Sequence, residues 1–290
     1  MKTSNFLSTY IIPLGKYVMV GLVVILCSLV FLYPQVYNCE MVGFSQLRSA
    51  KPGVYLNPNI GSLQTSQVMK YISQAEMRVD SFYSGKLSQP VIIVCADAEE
   101  YKKYCSSAEG AGCSLGTPWG STFVVLNVQE INVDVISHEM SHIELLKRLG
   151  WWKTTMQIPQ WFNEGVALML DKRFVNNIHS IGRYMEYMDQ WLYYTKGGQE
   201  ILELEDIVKV KDFFRGNQQY VMLAYMTSGL EVSYWLHQTG SKGINRFISN
   251  MADGDKFSAA YRNAELQNND TSKIPKLPLN PLRRSFIEVK

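Results

Sequence analysis

The chain has 290 residues, 47% of them hydrophobic and 19% charged, which is enough apolar material to core a domain of about 200 to 250 residues and too much for a disordered chain. Its 28 basic and 26 acidic side chains leave a formal net charge of +2. No block of like charge tracks a phosphate backbone, so nucleic acid is not expected as a partner.

Residues 1–16 form a short N-terminal arm carrying Lys2 and Lys16. Tyr17 to Asn38 then runs without a charge, nearly all Val, Leu, Ile, Phe and Met as far as Tyr33. That length and composition predict a transmembrane anchor over 17–38. A cleaved signal peptide is the rival, but the bulky Phe31, Leu32, Tyr33 and Pro34 offer no small-x-small cleavage site. A short arm ahead of an anchor, with the rest of the chain after it, predicts a single-pass membrane protein with a cytoplasmic N-terminus and an extracytoplasmic catalytic domain. Residues 39–60, punctuated by Pro52-Gly53 and Asn57-Pro58-Asn59, read as a stalk.

The main domain is expected over 61–271. From Leu63 to Phe82, Val68, Tyr71, Ile72, Ala75 and Val79 keep a helical spacing. Val91 to Cys95 and Ser121 to Leu126 read as strands separated by a polar, Gly-rich loop. In that loop Cys105 and Cys113 bracket a short segment; outside the cytoplasm they can pair, and the alternative is two free thiols. Cys95 reads as a core residue. A helix follows over 132–149, with Asn132 as cap and Gly150 as stop. After the connector 151–160, Pro159 opens a second helix through Leu170. Residues 171–216 look mixed and short-helical; long helices are expected over 217–238 and 243–251, and 272–290, with Pro275, Pro278 and Pro281, reads as an extended tail.

The first of the paired helices carries His138-Glu139-Met140-Ser141-His142. Four residues apart, His138 and His142 face the same way and can converge on one zinc ion, while Glu139 is rotated by about 100 degrees, free to take a proton from a water beside the metal. Val135, Ile136, Met140, Ile143 and Leu145 make this helix largely apolar, so unpartnered imidazoles there would be costly to bury. The second helix brings Glu164, in Trp161-Phe162-Asn163-Glu164-Gly165-Val166-Ala167, as a third ligand. His179 and His237 read as ordinary polar residues, since three ligands complete a catalytic site that keeps a position open.

These two segments together resemble the gluzincin peptidases, particularly the M1-like aminopeptidases and smaller peptidases with the same core, over about residues 120–255. The resemblance implies an α+β, zincin-like metallopeptidase domain, mostly helical with a small edge sheet, that binds zinc through His138, His142 and Glu164. The 21 residues between His142 and Glu164 make a longer spacer than is usual in the large aminopeptidases. A tyrosine on a later helix binds the oxyanion in the family; Tyr225, in Tyr-x-x-Ser-Gly, matches it best, with Tyr220 as runner-up. The family's acidic residue seven positions beyond the glutamate ligand corresponds to Asp171, which would orient a liganding histidine or simply sit in solvent at a helix end. The strand ahead of the zinc helix, Ser121 to Leu126, stands where zincins line the cleft. The Gly-rich exopeptidase motif is not reproduced.

The expectation is therefore a membrane-anchored zinc metalloprotease acting on a peptide or protein substrate, with Glu139 as general base and Tyr225 as oxyanion donor. The alternatives are an inactive peptidase-fold binding or scaffold protein, and a zinc amidohydrolase acting on a non-peptide amide.

Overall fold

Two continuous apolar runs make the middle of the sheet, because a strand covered on both faces has no polar side to alternate. The structure is a computed structural model that describes residues 17, 19–21, 30–106, 110–267 and 280–283. In chain order it begins with α1 (Pro34–Glu40), β1 (Arg48–Lys51), β2 (Val54–Leu56), α2 (Ser62–Tyr83), β3 (Val91–Cys95) and α3 (Ala98–Tyr104). There follow β4 (Gly112–Gly116), β5 (Thr122–Asn127), α4 (Val133–Leu149), α5 (Trp151–Gln157) and α6 (Gln160–Leu168). The remainder is helical: α7 (Ser180–Tyr194), α8 (Val210–Phe213), α9 (Gln218–Thr239), α10 (Gly243–Ala252) and α11 (Phe257–Leu266). This is a mixed α+β fold, mostly helix with one small sheet.

The strands lie in the order β1-β2-β3-β5-β4. β2, β3 and β5 are parallel, whereas β1 and β4 pair antiparallel on the two outer sides. One face, with Leu56, Ile92, Val94, Val124 and Leu126, joins α2 and α4 in the main core. The other face, with Ile93, Cys95, Phe123 and Val125, is covered by Cys39 of α1 and by Tyr101 and Tyr104 of α3.

The membrane anchor expected over 17–38 is corrected. Among the described residues no helix is long and apolar enough to cross a membrane; residues 18 and 22–29 lie outside them. Tyr33 leaves helical geometry at φ −133°, ψ 59°, and Pro34 starts a separate helix. That helix is packed on the domain: Asn38 Nδ2 donates to Lys103 O at 2.7 Å and Cys39 Sγ to Tyr104 O at 3.4 Å. Residues 34–38 are thus committed to the fold, and the single-pass, extracytoplasmic placement that rested on a 17–38 anchor falls with it.

Three further readings change. The stretch taken as a stalk supplies β1 and β2, because Val54 and Leu56 alternate into the core and pair with Ile92 and Val94. The Gly-rich loop contains β4, which pairs Cys113 with Val125 and Leu115 with Phe123. The edge is therefore β4, and β5 is interior. Residues 180–194 form one helix, with Tyr184, Tyr187 and Trp191 buried along one side. Of the expected tail, only residues 280–283 are described; Asn280 Nδ2 donates to Glu231 Oε2 at 2.5 Å, and Leu282 is buried.

Candidate metal centre

α4 begins where Asn132 Oδ1 accepts from Val135 N at 3.0 Å and ends at Gly150, whose φ of 79° suits a residue without Cβ. Its side away from the site is pinned. Glu144, fully buried, accepts from the backbone N–H groups of Leu87 and Ser88 and from Arg148 Nε at 2.7 Å, and Tyr83 Oη meets Ser141 Oγ at 2.9 Å. The opposite side presents His138 and His142, their rings 4.9 Å apart at 79°.

Glu164 reaches them from α6. A Cβ on Gly165 would lie 2.4 Å from Val232 Cγ2 and 2.7 Å from Ser228 O, so only glycine lets α9 cross this close to the ligand helix. The same crossing brings Tyr225, one turn before Ser228, towards the site.

Glu164 Oε2 stands 3.2 Å from His138 Nε2 and 3.7 Å from His142 Nε2. Ligand atoms about 2.0–2.1 Å from a tetrahedral zinc ion are separated by about 3.3 Å, so these spacings fit one ion between them. The three ligand atoms lie within 4.8 Å of one another. This His138–His142–Glu164 group, two members buried and His142 half-buried, can hold a metal ion.

The remaining polar atoms of these side chains are directed. His142 Nδ1 lies 3.0 Å from Asn163 Oδ1, and His138 Nδ1 lies 3.5 Å from Asp171 Oδ2. With protons on Nδ1, both rings present a lone pair on Nε2 towards Glu164. Gln160 Nε2 donates to Glu164 Oε1 at 2.7 Å, leaving Oε2 for the ion. Arg173 grips Asp171 with Nε at 2.9 Å and Nη2 at 2.6 Å.

Burial works against charge on each of these groups, and their mutual contacts reverse it. The His138 imidazole, pushed down by burial, is raised to about 10 by Asp171 and Glu164. Glu164, which burial pushes up, is held below its usual range by His142 and His138. Asp171 likewise is held below its range by His138 and Arg173 against its own burial. So much negative charge around His138 is the environment a cation replaces a proton in.

Tyr225 stands over the same site, its ring 6.4 Å from that of His138, stacked at 17° on Phe174 and edge-on to Phe213 at 5.1 Å. Burial, with the Glu164 and Glu139 carboxylates, pushes its phenol well above the usual range, so it remains a donor at neutral pH. Tyr220 is directed elsewhere: its hydroxyl donates to Asp212 O and accepts from Arg215 Nε, both at 3.0 Å. His237 Nδ1 pairs with Ser180 Oγ at 3.0 Å, and His179 stands just before α7 without a side-chain capping bond; neither belongs to the metal group.

The edge strand runs beside Glu139. Asn127 N donates to Ala111 O and Thr117 N to Ser121 O, so by alternation Gly112, Ser114 and Gly116 turn their backbone groups away from β5. Trp151 Nε1 takes Gly116 O at 3.1 Å, leaving the Gly112–Ser114 stretch available. The Cys105–Cys113 pair is a disulfide, which decides between the two sequence alternatives. Cys95 is a core residue as expected, and Cys39 is also buried, its thiol pushed up to about 12 by desolvation.

Sequence reasoning gave Asn163, Gln160 and Arg173 no role. Gln160 was within reach, four residues before Glu164 on one helix face; the Arg173–Asp171 pair is local, two residues apart, but that it stands behind His138, and that Asn163 meets His142, is decided only when α6 and the loop after it fold onto α4. The chain matches no protein-family model and no curated protein.

Proposed function

We propose that this protein is a zinc metallopeptidase of gluzincin type. One observation carries the reading: two imidazoles and one carboxylate converge within 4.8 Å of one another, Glu164 Oε2 lying 3.2 and 3.7 Å from the two Nε2 atoms, with Glu139 on the same helix and outside that group. A purely structural zinc site has no use for that carboxylate beside an open position.

Zinc, when bound, polarises the scissile carbonyl and lowers the pKa of water. Glu139 takes the proton of the attacking water and passes it to the leaving amine. Tyr225 donates its hydroxyl hydrogen to the carbonyl oxygen as charge develops there. The outward-facing backbone of Gly112 and Ser114 holds an extended substrate as an added strand. Asp171 and Asn163 keep the two imidazoles in the Nδ1–H tautomer.

The test is a peptide library incubated with zinc-loaded protein, with and without a chelator, beside the Glu139→Gln variant. Wild type should cleave, chelation should stop it, and zinc should restore it. Glu139→Gln should keep one equivalent of zinc and lose turnover by about 10²- to 10⁴-fold. Zinc bound at one equivalent with no turnover in either protein would favour a binding protein; equal turnover in both would remove Glu139 as the base.

A further inference from the structure

We propose that Gly112 is a positioning residue for Glu139, held there by the Cys105–Cys113 disulfide; this rests on the reading of Glu139 as the base. A Cβ at Gly112 would lie 3.0 Å from Glu139 Cγ and 3.0 Å from Val135 Cγ1. The β4 backbone is therefore the wall against which the Glu139 stem rests, and it limits the rotamers open to the carboxylate. Any side chain at position 112 enters the volume occupied by that stem.

As an edge strand, β4 has a ladder on one side only, so its entry needs another restraint. Strand alternation turns Gly112 towards α4 and Cys113 towards the opposite face, where it packs in the second core. There the disulfide joins it to Cys105, the C-cap residue immediately after α3. α3 is a firm anchor: Tyr101 is fully buried, Asp97 caps the helix by accepting from Glu100 N, and Glu100 accepts from Asn57 Nδ2 and Ala96 N at 2.8 Å. The cross-link holds β4 from behind while Gly112 bears on Glu139 in front. The zinc ligands, on α4 and α6, lie outside this linkage.

Gly116 supplies an internal comparison. A Cβ there would come closer to its neighbour, 2.5 Å from Leu146 Cδ1, yet it crowds a leucine and not Glu139. Gly112→Ala should lower kcat several-fold and Gly112→Val by about 10²-fold, as expected for a catalytic group displaced by about 1 Å, with zinc content unchanged. Gly116→Ala should leave kcat near wild type. The double variant Cys105→Ser/Cys113→Ser should lower kcat and retain zinc. In metal-free wild type, a nuclear Overhauser contact between Gly112 Hα and Glu139 Hγ should be present, and it should weaken in the double serine variant. Equal losses in Gly112→Ala and Gly116→Ala would mean general disruption of β4 and overturn the proposal. So would absence of that contact in wild type. If wild type hydrolyses nothing, the peptidase reading fails by itself, and the contact still decides whether Gly112 sets Glu139.

Discussion

Replacing Asp171 by Asn should weaken zinc binding without removing a ligand. Asp171 is 1% exposed. Its carboxylate faces His138 Nδ1 at 3.5 Å on one side and takes the Arg173 guanidinium in two bonds on the other. An amide of the same shape has one oxygen and one NH₂ group, so it must turn a donor towards either the His138 N–H or Arg173. Losing the carboxylate behind a metal-bound histidine costs about 10- to 100-fold in affinity, or about 1.4 to 2.8 kcal/mol. The simultaneous loss of the Arg173 counter-ion burdens the metal-free and zinc-loaded proteins alike, so it lowers thermal stability but cancels from the zinc Kd. Competition with a chromophoric chelator at neutral pH measures the affinity, and thermal melts of the metal-free proteins report the stability part separately. A zinc Kd within about threefold of wild type would show that Asp171 serves Arg173 and the fold, and does not orient His138.

Tyr225→Phe should keep zinc and lower kcat by about 10²-fold through loss of one oxyanion donor, whereas Tyr220→Phe should change kcat little, since its hydroxyl is occupied by Asp212 and Arg215; steady-state rates on a common peptide decide, and the reverse pattern would assign the wrong tyrosine. Glu144 is held below its usual range, its burial outweighed by the Leu87 and Ser88 amides and Arg148. A depressed folded value means that its charge stabilises the fold above the ordinary 4.5 and that this contribution is lost as pH falls through the folded value. Urea unfolding of wild type and Glu144→Gln across pH should show a stability gap at neutral pH that closes in acid; a gap independent of pH would mean that the charge is not what stabilises.

The helical ligand arrangement was legible because it is local. His138 and His142 share a face by helical period alone, Glu139 is turned from them by the same period, and Asn132 and Gly150 mark the helix ends in the chain itself. Val91 to Cys95 was legible for a similar reason, since five consecutive apolar residues need cover on both faces. The strand β4 was hidden because Gly112-Cys113-Ser114-Leu115-Gly116 has weak strand preference, and only pairing with β5 makes it extended. The reading of 17–38 as one span failed at its C-terminal end: hydropathy counts side chains, but it does not register that Asn38 and Cys39 find partners on α3.

By itself the sequence determined which side chains can bind a metal, how they are spaced along their helices, and which turns begin and end those helices. Tertiary structure alone decided that Asn163 meets His142, that Asp171 with Arg173 stands behind His138, that Tyr225 and not Tyr220 faces the metal group, and that Gly112 bears on Glu139. The physical reason is range: helical periodicity and capping act over one or two turns, whereas these contacts join residues on separate elements, and their distances exist only once the core has closed.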